Sequence, residues 1–321
     1  MKNFKSLLQD FFNRSKKSFQ GNGTLLFKKD EYDFKVHVSL CIFRTIQTSV
    51  LDSLFKLMVC QKPKVTVSTA VGDSLIDRAR CREASDFLNY SDADVLLMVD
   101  DDIQFLPEDA IKICKGAYER KGIMAGTCVV KREEGTWIAS KPLEDSPPII
   151  FSADAEPVEV KWAGAGMIAF HRNVLTDMIQ GMRDYESDPA YECKKVVNGD
   201  GSVTYVSVKE IIKWKFEPLI LCHPTDLRFW PFFQTMIWRH PNGDHLFLSE
   251  DWAFCERARM CGYKIWLDPS VRTVHWGVYG YTLDDMLRPP RVHHEKITYE
   301  DAKDKIIIPK DEGVKLNPSL I

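Results

Sequence analysis

Hydrophobic and polar positions change period repeatedly along the chain, and each change marks an element. From Lys35, Val36, Val38, Leu40 and Ile42 alternate with His37, Ser39 and Cys41, the period of two that a strand requires. Thr45 to Cys60 carries a helical pattern, and Lys64 to Ala70 (KVTVSTA) predicts a second strand. After the Val71-Gly72-Asp73 turn, Ser74 and Asp77 have capping-box spacing for a helix reaching about Tyr90, with Leu75, Ala79 and Phe87 turned inward. Ser91 to Asp94 turn into Val95-Leu96-Leu97-Met98-Val99, an apolar run too short for a helix and read as a fully buried strand. Leu106-Pro107-Glu108 starts a helix over 108–120, Lys121-Gly122 ends it, and Ile123 to Val130 predicts another apolar strand. Such alternation predicts an α/β half over 35–131, with a parallel sheet flanked by helices on both faces.

The second half, 149–280, is less regular. Val158 to Trp162 and Met167 to Phe170 read as strands around Gly164-Ala165-Gly166, where missing side chains admit a ligand or simply a turn. Val196 to Gly201 is a hairpin signal inside an insertion around 183–245. Trp230-Pro231-Phe232-Phe233 is either an aromatic wall for stacking or part of the core. Ser249 is the expected N-cap of a helix over 252–260, with Glu250 and Asp251 in its first turn. Cys261-Gly262 ends that helix; strands follow at Lys264 to Leu267 and Val271 to Val274, and His275 closes the series. Residues 1–24 form a separate segment, an amphipathic helix and a Gly-containing linker, and 281–321 form a C-terminal loop or lid with a tail. In the N-terminal helix, Phe4, Leu7, Leu8, Phe11 and Phe12 oppose Lys2, Lys5, Arg14, Lys16 and Lys17. That pattern suits packing on its own domain, and equally peripheral contact of residues 1–20 with an anionic membrane or a partner.

Composition narrows the class. The 321 residues are 45% apolar, enough for a real core, and a net charge of −3 gives no electrostatic footprint for nucleic acid. Nine cysteines, none in a C-x-x-C pair, suit reduced thiols better than a disulfide framework or a zinc site. With no apolar run of transmembrane length and no secretory h-region, the expected location is cytoplasmic.

The chemistry gathers at Asp100-Asp101-Asp102, directly after the buried strand. In an open α/β sheet ligands bind beyond the carboxyl ends of the strands, so these acids would stand at the mouth of a site. Crowded carboxylates call for a cation among them, although an acidic turn ahead of a helix is the plain alternative. Arg78 and Arg80, two apart on their helix, cannot both face such a site.

Taken together, these pieces resemble the GT-A-type glycosyltransferases, the large family-2-like group, from residue 35 to about 280. The matching pieces are the Ser74 to Arg80 helix start, the D-x-D of Asp100 and Asp102, the Gly164-Ala165-Gly166 turn, Glu250-Asp251 with Phe254 to Ala258, and His275. The helix departs from the family in carrying Cys81 where an asparagine commonly follows arginine, and the 183–245 insertion has no counterpart. The resemblance implies a Rossmann-like, mostly parallel sheet with an irregular acceptor-side half. It implies that Asp100, Asp102 and His275 hold Mn2+ or Mg2+ against the donor diphosphate, and that Gly164 and Gly166 line the sugar and acceptor pocket.

The expected reaction is transfer of a sugar from a nucleoside-diphosphate sugar to a hydroxyl on a glycan, lipid-linked glycan, protein or modified nucleobase. Asp251, beside Glu250, is the candidate base of an inverting displacement; in a retaining enzyme the pair would orient the acceptor instead. Asp101 and either Arg78 or Arg80 are further candidates for the donor side, and Arg288 and Arg291 would close a lid over the diphosphate. A metal-dependent nucleotidyl- or phosphoryl-transfer enzyme would also use clustered carboxylates, but the chain has no G-x-x-x-x-G-K-[ST] loop. A sugar-binding module without activity is the third reading, and the full set of acids and His275 weighs against it.

Overall fold

A computed structural model describes residues 32–60, 63–132, 137–180, 229–238, 244–277 and 279–287 in full, and elsewhere only the backbone of short strands. The N-terminal helix of residues 1–20, Arg288 and Arg291 lie outside the described residues, as does most of the insertion. Contacts divide the chain into units 1–33 and 34–321, and everything below belongs to the second.

The elements follow in the order β1 (Lys35–Ile42), α1 (Thr48–Val59), β2 (Lys64–Val71), α2 (Ile76–Tyr90), β3 (Val95–Asp100), β4 (Ile103–Gln104), α3 (Pro107–Glu119) and β5 (Ile123–Thr127). Then come β6 (Lys141–Pro142), β7 (Ile150–Phe151), β8 (Val158–Trp162), β9 (Met167–His171) and α4 (Arg172–Gln180). The last set is β10 (Met236–Arg239), β11 (His245–Leu248), α5 (Glu250–Met260), β12 (Ile265–Arg272), β13 (Val274–Trp276) and β14 (Gly280–Tyr281). One eight-stranded sheet runs β2-β1-β3-β9-β5-β12-β8-β6, mostly parallel and flanked by helices, in a Rossmann-like arrangement.

Two strands of the sheet run against the rest, β8 near its far edge, antiparallel to β12 and β6, and β9 at its centre. β9 lies antiparallel between β3 and β5, pairing Met167 with Val99 and Phe170 with Ile123. A strand buried on both faces reads as a continuous apolar run whichever way it points, so MIAFH carries no sign of direction. The consequence is functional: a strand of the second half completes the pairing of the strand that ends in the acids.

Burial explains the strands and the helix faces. Val95 to Val99 are at most 2% exposed, and α3 buries Ala110, Ile111, Ile113, Cys114 and Ala117 at helical spacing. α2 turns Ala79, Ala84 and Phe87 inward, but Leu75 is its exposed N-cap residue, and no side chain caps that end. The expected Ser74–Asp77 box gives way to Asp73, whose carboxylate accepts from Leu75 N at 3.1 Å and is gripped by Arg78. Phe232 and Phe233 are fully buried, and Phe233 stacks on Phe254 at 4.3 Å, so that cluster is core. α5 ends at Gly262, whose φ of 84° is the left-handed value glycine supplies cheaply. In the insertion, Cys193–Val197 pairs antiparallel with Val203–Ser207, the hairpin its turn residues predict. The seven described cysteines are free, and no described helix is long and apolar enough to cross a membrane.

Candidate active site

Asp100 ends β3, and its N–H donates to the Gly166 carbonyl at 3.1 Å, fixing the chain as it leaves the sheet. The three carboxylates of Asp100, Asp101 and Asp102 diverge, because successive residues leaving a strand point different ways. Asp100 meets Arg80, which extends from α2 and is only 4% exposed. Arg80 Nη2 donates to Asp100 Oδ1 and Nη1 donates to Glu250 Oε1, both at 2.6 Å. One buried guanidinium thus joins an acid of the first half to an acid at the start of α5. Burial works against its charge, but Asp100 and Glu250 outweigh burial and raise its pKa. At Glu250 burial is the larger influence and pushes the carboxyl up, with Arg80 opposing.

Asp101 turns toward the β1–α1 connection, where Phe43 N donates to Oδ2 at 3.3 Å and Gln47 N donates to the carbonyl at 3.0 Å. Burial raises this carboxyl too.

Asp102 faces the other way. β13 pairs antiparallel with β4, opposing His275 to Ile103, and Trp276 N donates to the Asp102 carbonyl at 2.8 Å. This pairing brings His275 Nε2 to 3.3 Å from Asp102 Oδ1, while His275 Nδ1 lies 2.7 Å from the Val129 carbonyl. Lys131 Nζ donates to Asp102 Oδ2 at 2.5 Å. Burial would raise Asp102, but hydrogen bonds to His275 and Lys131 outweigh it and hold the carboxyl below its ordinary value.

The expected ligand trio is therefore divided. Asp102 and His275 stand together, whereas the Asp100 carboxylate is committed to Arg80. Among the described residues no group of three or more His, Cys, Asp or Glu side chains is arranged to hold a metal. A divalent ion that also binds a diphosphate needs only one or two protein carboxylates, so the Asp102–His275 pair fits it as a partial set.

Asp251 accepts hydrogen bonds at Oδ1 from Ser249 Oγ and, at 2.8 Å, from Trp252 N. The N-cap residue is Ser249 as expected, but its hydroxyl serves Asp251 instead of the helix end. Arg78 is spent on Asp73, with Nη2 to Oδ1 at 2.6 Å. Gly164 is buried, and a Cβ there would stand 2.6 Å from Ala139 Cβ, so its role is close packing. Gly166 packs on Cys128 and Ile103 and gives its carbonyl to Asp100. Gly166, unlike Gly164, is half-buried.

Two features escaped the sequence reading. Lys131 is the first charged residue beyond the apolar run at 123–130, at the carboxyl edge where a donor cation is useful; that position was its signal. Phe43, 47% exposed, follows β1 and donates its N–H to Asp101, with Arg44 4.9 Å over its ring, and Val71, 68% exposed, ends β2. Nothing in the pattern marks them, because Val71 is the last residue of β2 and Phe43 is one apolar residue past β1.

No family model matches the chain, and no curated protein sequence matches it. Among solved structures it is similar to A197 from STIV, with TM-score 0.43 and 13% identity over 83% of this chain and 98% of that one. It is also similar to 4-diphosphocytidyl-2C-methyl-D-erythritol synthase from Anaerococcus prevotii, with TM-score 0.25 and 11% identity over 45% of this chain and 74% of that one.

Proposed function

We propose that the chain is a metal-dependent glycosyltransferase of GT-A type, moving a sugar from a nucleoside-diphosphate sugar to a hydroxyl acceptor. The observation that carries this reading is the geometry of His275. A carbonyl can only accept, so the 2.7 Å contact with Val129 puts the hydrogen on Nδ1. Nε2 then faces Asp102 Oδ1 at 3.3 Å, where an N–H donates to the carboxylate or a divalent cation takes the place of that proton and is held by both groups.

Asp102 and His275 would hold a divalent ion, and their mixed nitrogen and oxygen character suits manganese at least as well as magnesium. When bound, such an ion stabilises the negative charge that develops on a departing diphosphate. Lys131 supplies a second positive charge at the same place, and Phe43 offers a face for a planar base. Asp251 takes the proton of the attacking hydroxyl at Oδ2, which makes no hydrogen bond among the described residues, while Oδ1 stays anchored to Ser249 and Trp252. Displacement then inverts the anomeric carbon. Arg80 holds Glu250 and Asp100 in place.

The test is a donor screen with purified protein, UDP-, GDP- and dTDP-sugars and Mn2+, followed by mass detection of released nucleotide. Turnover of one donor class is expected, lost in chelator and in Asp102→Ala. Asp251→Asn should retain donor binding and lower transfer by roughly two to four powers of ten. Undiminished turnover in chelator would sink the metal assignment. Pyrophosphate release from nucleoside triphosphates would point to nucleotidyl transfer.

A further inference from the structure

A second pocket lies at the far edge of the sheet, along β8, which is separated from β3 by β9, β5 and β12. It has a volume of about 670 Å³, within the range of small-molecule sites. Its walls combine the indoles of Trp238 and Trp266 and three prolines with charges of both signs, Lys161 and Arg259 against Glu144, Asp145 and Glu159.

Four of those five charges are paired within the protein. Lys161 is 9% exposed, and its Nζ lies 3.0 Å from Glu144 Oε1 and 4.5 Å over the Trp238 ring. Arg259 pairs with Glu256 at 2.9 Å, and Lys264 pairs with Glu159 at 2.8 Å. An anion entering here would meet carboxylates, and a cation would meet Lys161 and Arg259. A hydroxyl both donates and accepts, so one hydroxyl satisfies an ammonium and a carboxylate at once. The half-buried Trp266 indole and the prolines offer flat apolar surface to the C–H faces of a ring, with Trp238 packed behind them. Polar groups of both signs around aromatic faces thus select a neutral, polyhydroxylated, ring-shaped ligand.

A run of packed indoles lies between the pocket and the start of α5. Trp238 meets Trp162 edge-on at 5.5 Å, Trp162 stacks on Trp252 at 5.0 Å, and Trp252 adjoins Asp251. We propose that this pocket binds pyranose rings of an oligosaccharide, the part of an acceptor chain distant from its reacting end. The acceptor role rests on the transferase reading; the binding itself does not.

Calorimetry and tryptophan fluorescence on the full chain test it, with maltohexaose, cellohexaose, laminarihexaose and chitohexaose as probes. At least one should bind the wild type, Asp102→Ala and Asp251→Asn alike. Trp266→Ala should weaken that binding roughly tenfold. Glu159→Gln, a change at the protein surface that cannot threaten the core, should weaken it a few-fold. If none of the four binds, or if both variants bind like wild type, the proposal is overturned. Saccharide binding by a protein that turns over no nucleotide sugar would end the transferase reading and leave the pocket standing. Donor turnover without saccharide binding would do the reverse.

Discussion

Asp109 shows how one side chain can be held against its own preference. It lies in the first turn of α3, where the helix dipole favours a negative charge by about 0.3–1 kcal/mol. Burial nevertheless raises its pKa from 3.8 to about 6, with Asp268 and Glu108 adding to the rise. Desolvation therefore beats the dipole here. The folded state holds this proton more tightly than the unfolded chain does. The stabilising effect of the protonated form is complete below about pH 4 and is lost as pH rises through about 6. Asp109→Asn should therefore stabilise the protein at pH 8, by roughly 1–2 kcal/mol after allowing for solvent screening, and change little at pH 4. Thermal melts at the two pH values check this; equal effects at both would assign the gain to something other than charge.

Between elements, Arg80 ties α2, the end of β3 and the start of α5 through two 2.6 Å contacts. A buried ion pair adds little net stability over an apolar substitute, but removing one partner strands the other. Arg80→Met would strand two carboxylates, of Asp100 and Glu250, with side chains only 27% and 19% exposed. The expected loss is about 3–5 kcal/mol, read by chemical denaturation at neutral pH, and it should shrink as the acids become protonated. A loss under 1 kcal/mol would show the bridge to be ornamental. The close approach at Gly164 belongs to the same scale. A methyl there meets Ala139 Cβ at 2.6 Å and its carbonyl at 3.0 Å, atoms fixed to the backbone that cannot retreat. Gly164→Ala should cost about 1–3 kcal/mol.

For the molecule as a whole, the proposed donor site sits where elements distant in sequence converge on one sheet edge. If Asp102, His275 and Lys131 share an ion and a diphosphate, the two ligands should bind cooperatively. UDP and Mn2+ together should raise the melting temperature by more than the sum of their separate effects. A ligand at a hundred times its dissociation constant adds about 2.7 kcal/mol. Additive shifts would argue against a shared site.

The sequence by itself determined the main elements of 35–131 and where charge would gather. The apolar run Val95 to Val99, the helix face of Ala79 and Phe87, and the acids following the strand all follow from period and composition, which are local properties. Tertiary structure alone decided direction and pairing. The antiparallel course of β9 was illegible because both of its faces are buried, and a run without alternation has no polarity to read. Asp100 and Asp102 are two residues apart, yet one meets Arg80 from α2 and the other His275 from β13. Spacing marked both as acids at one edge; only the pairing of β13 with β4 and the reach of α2 assigned each its partner, because contacts between distant segments leave no period in the chain.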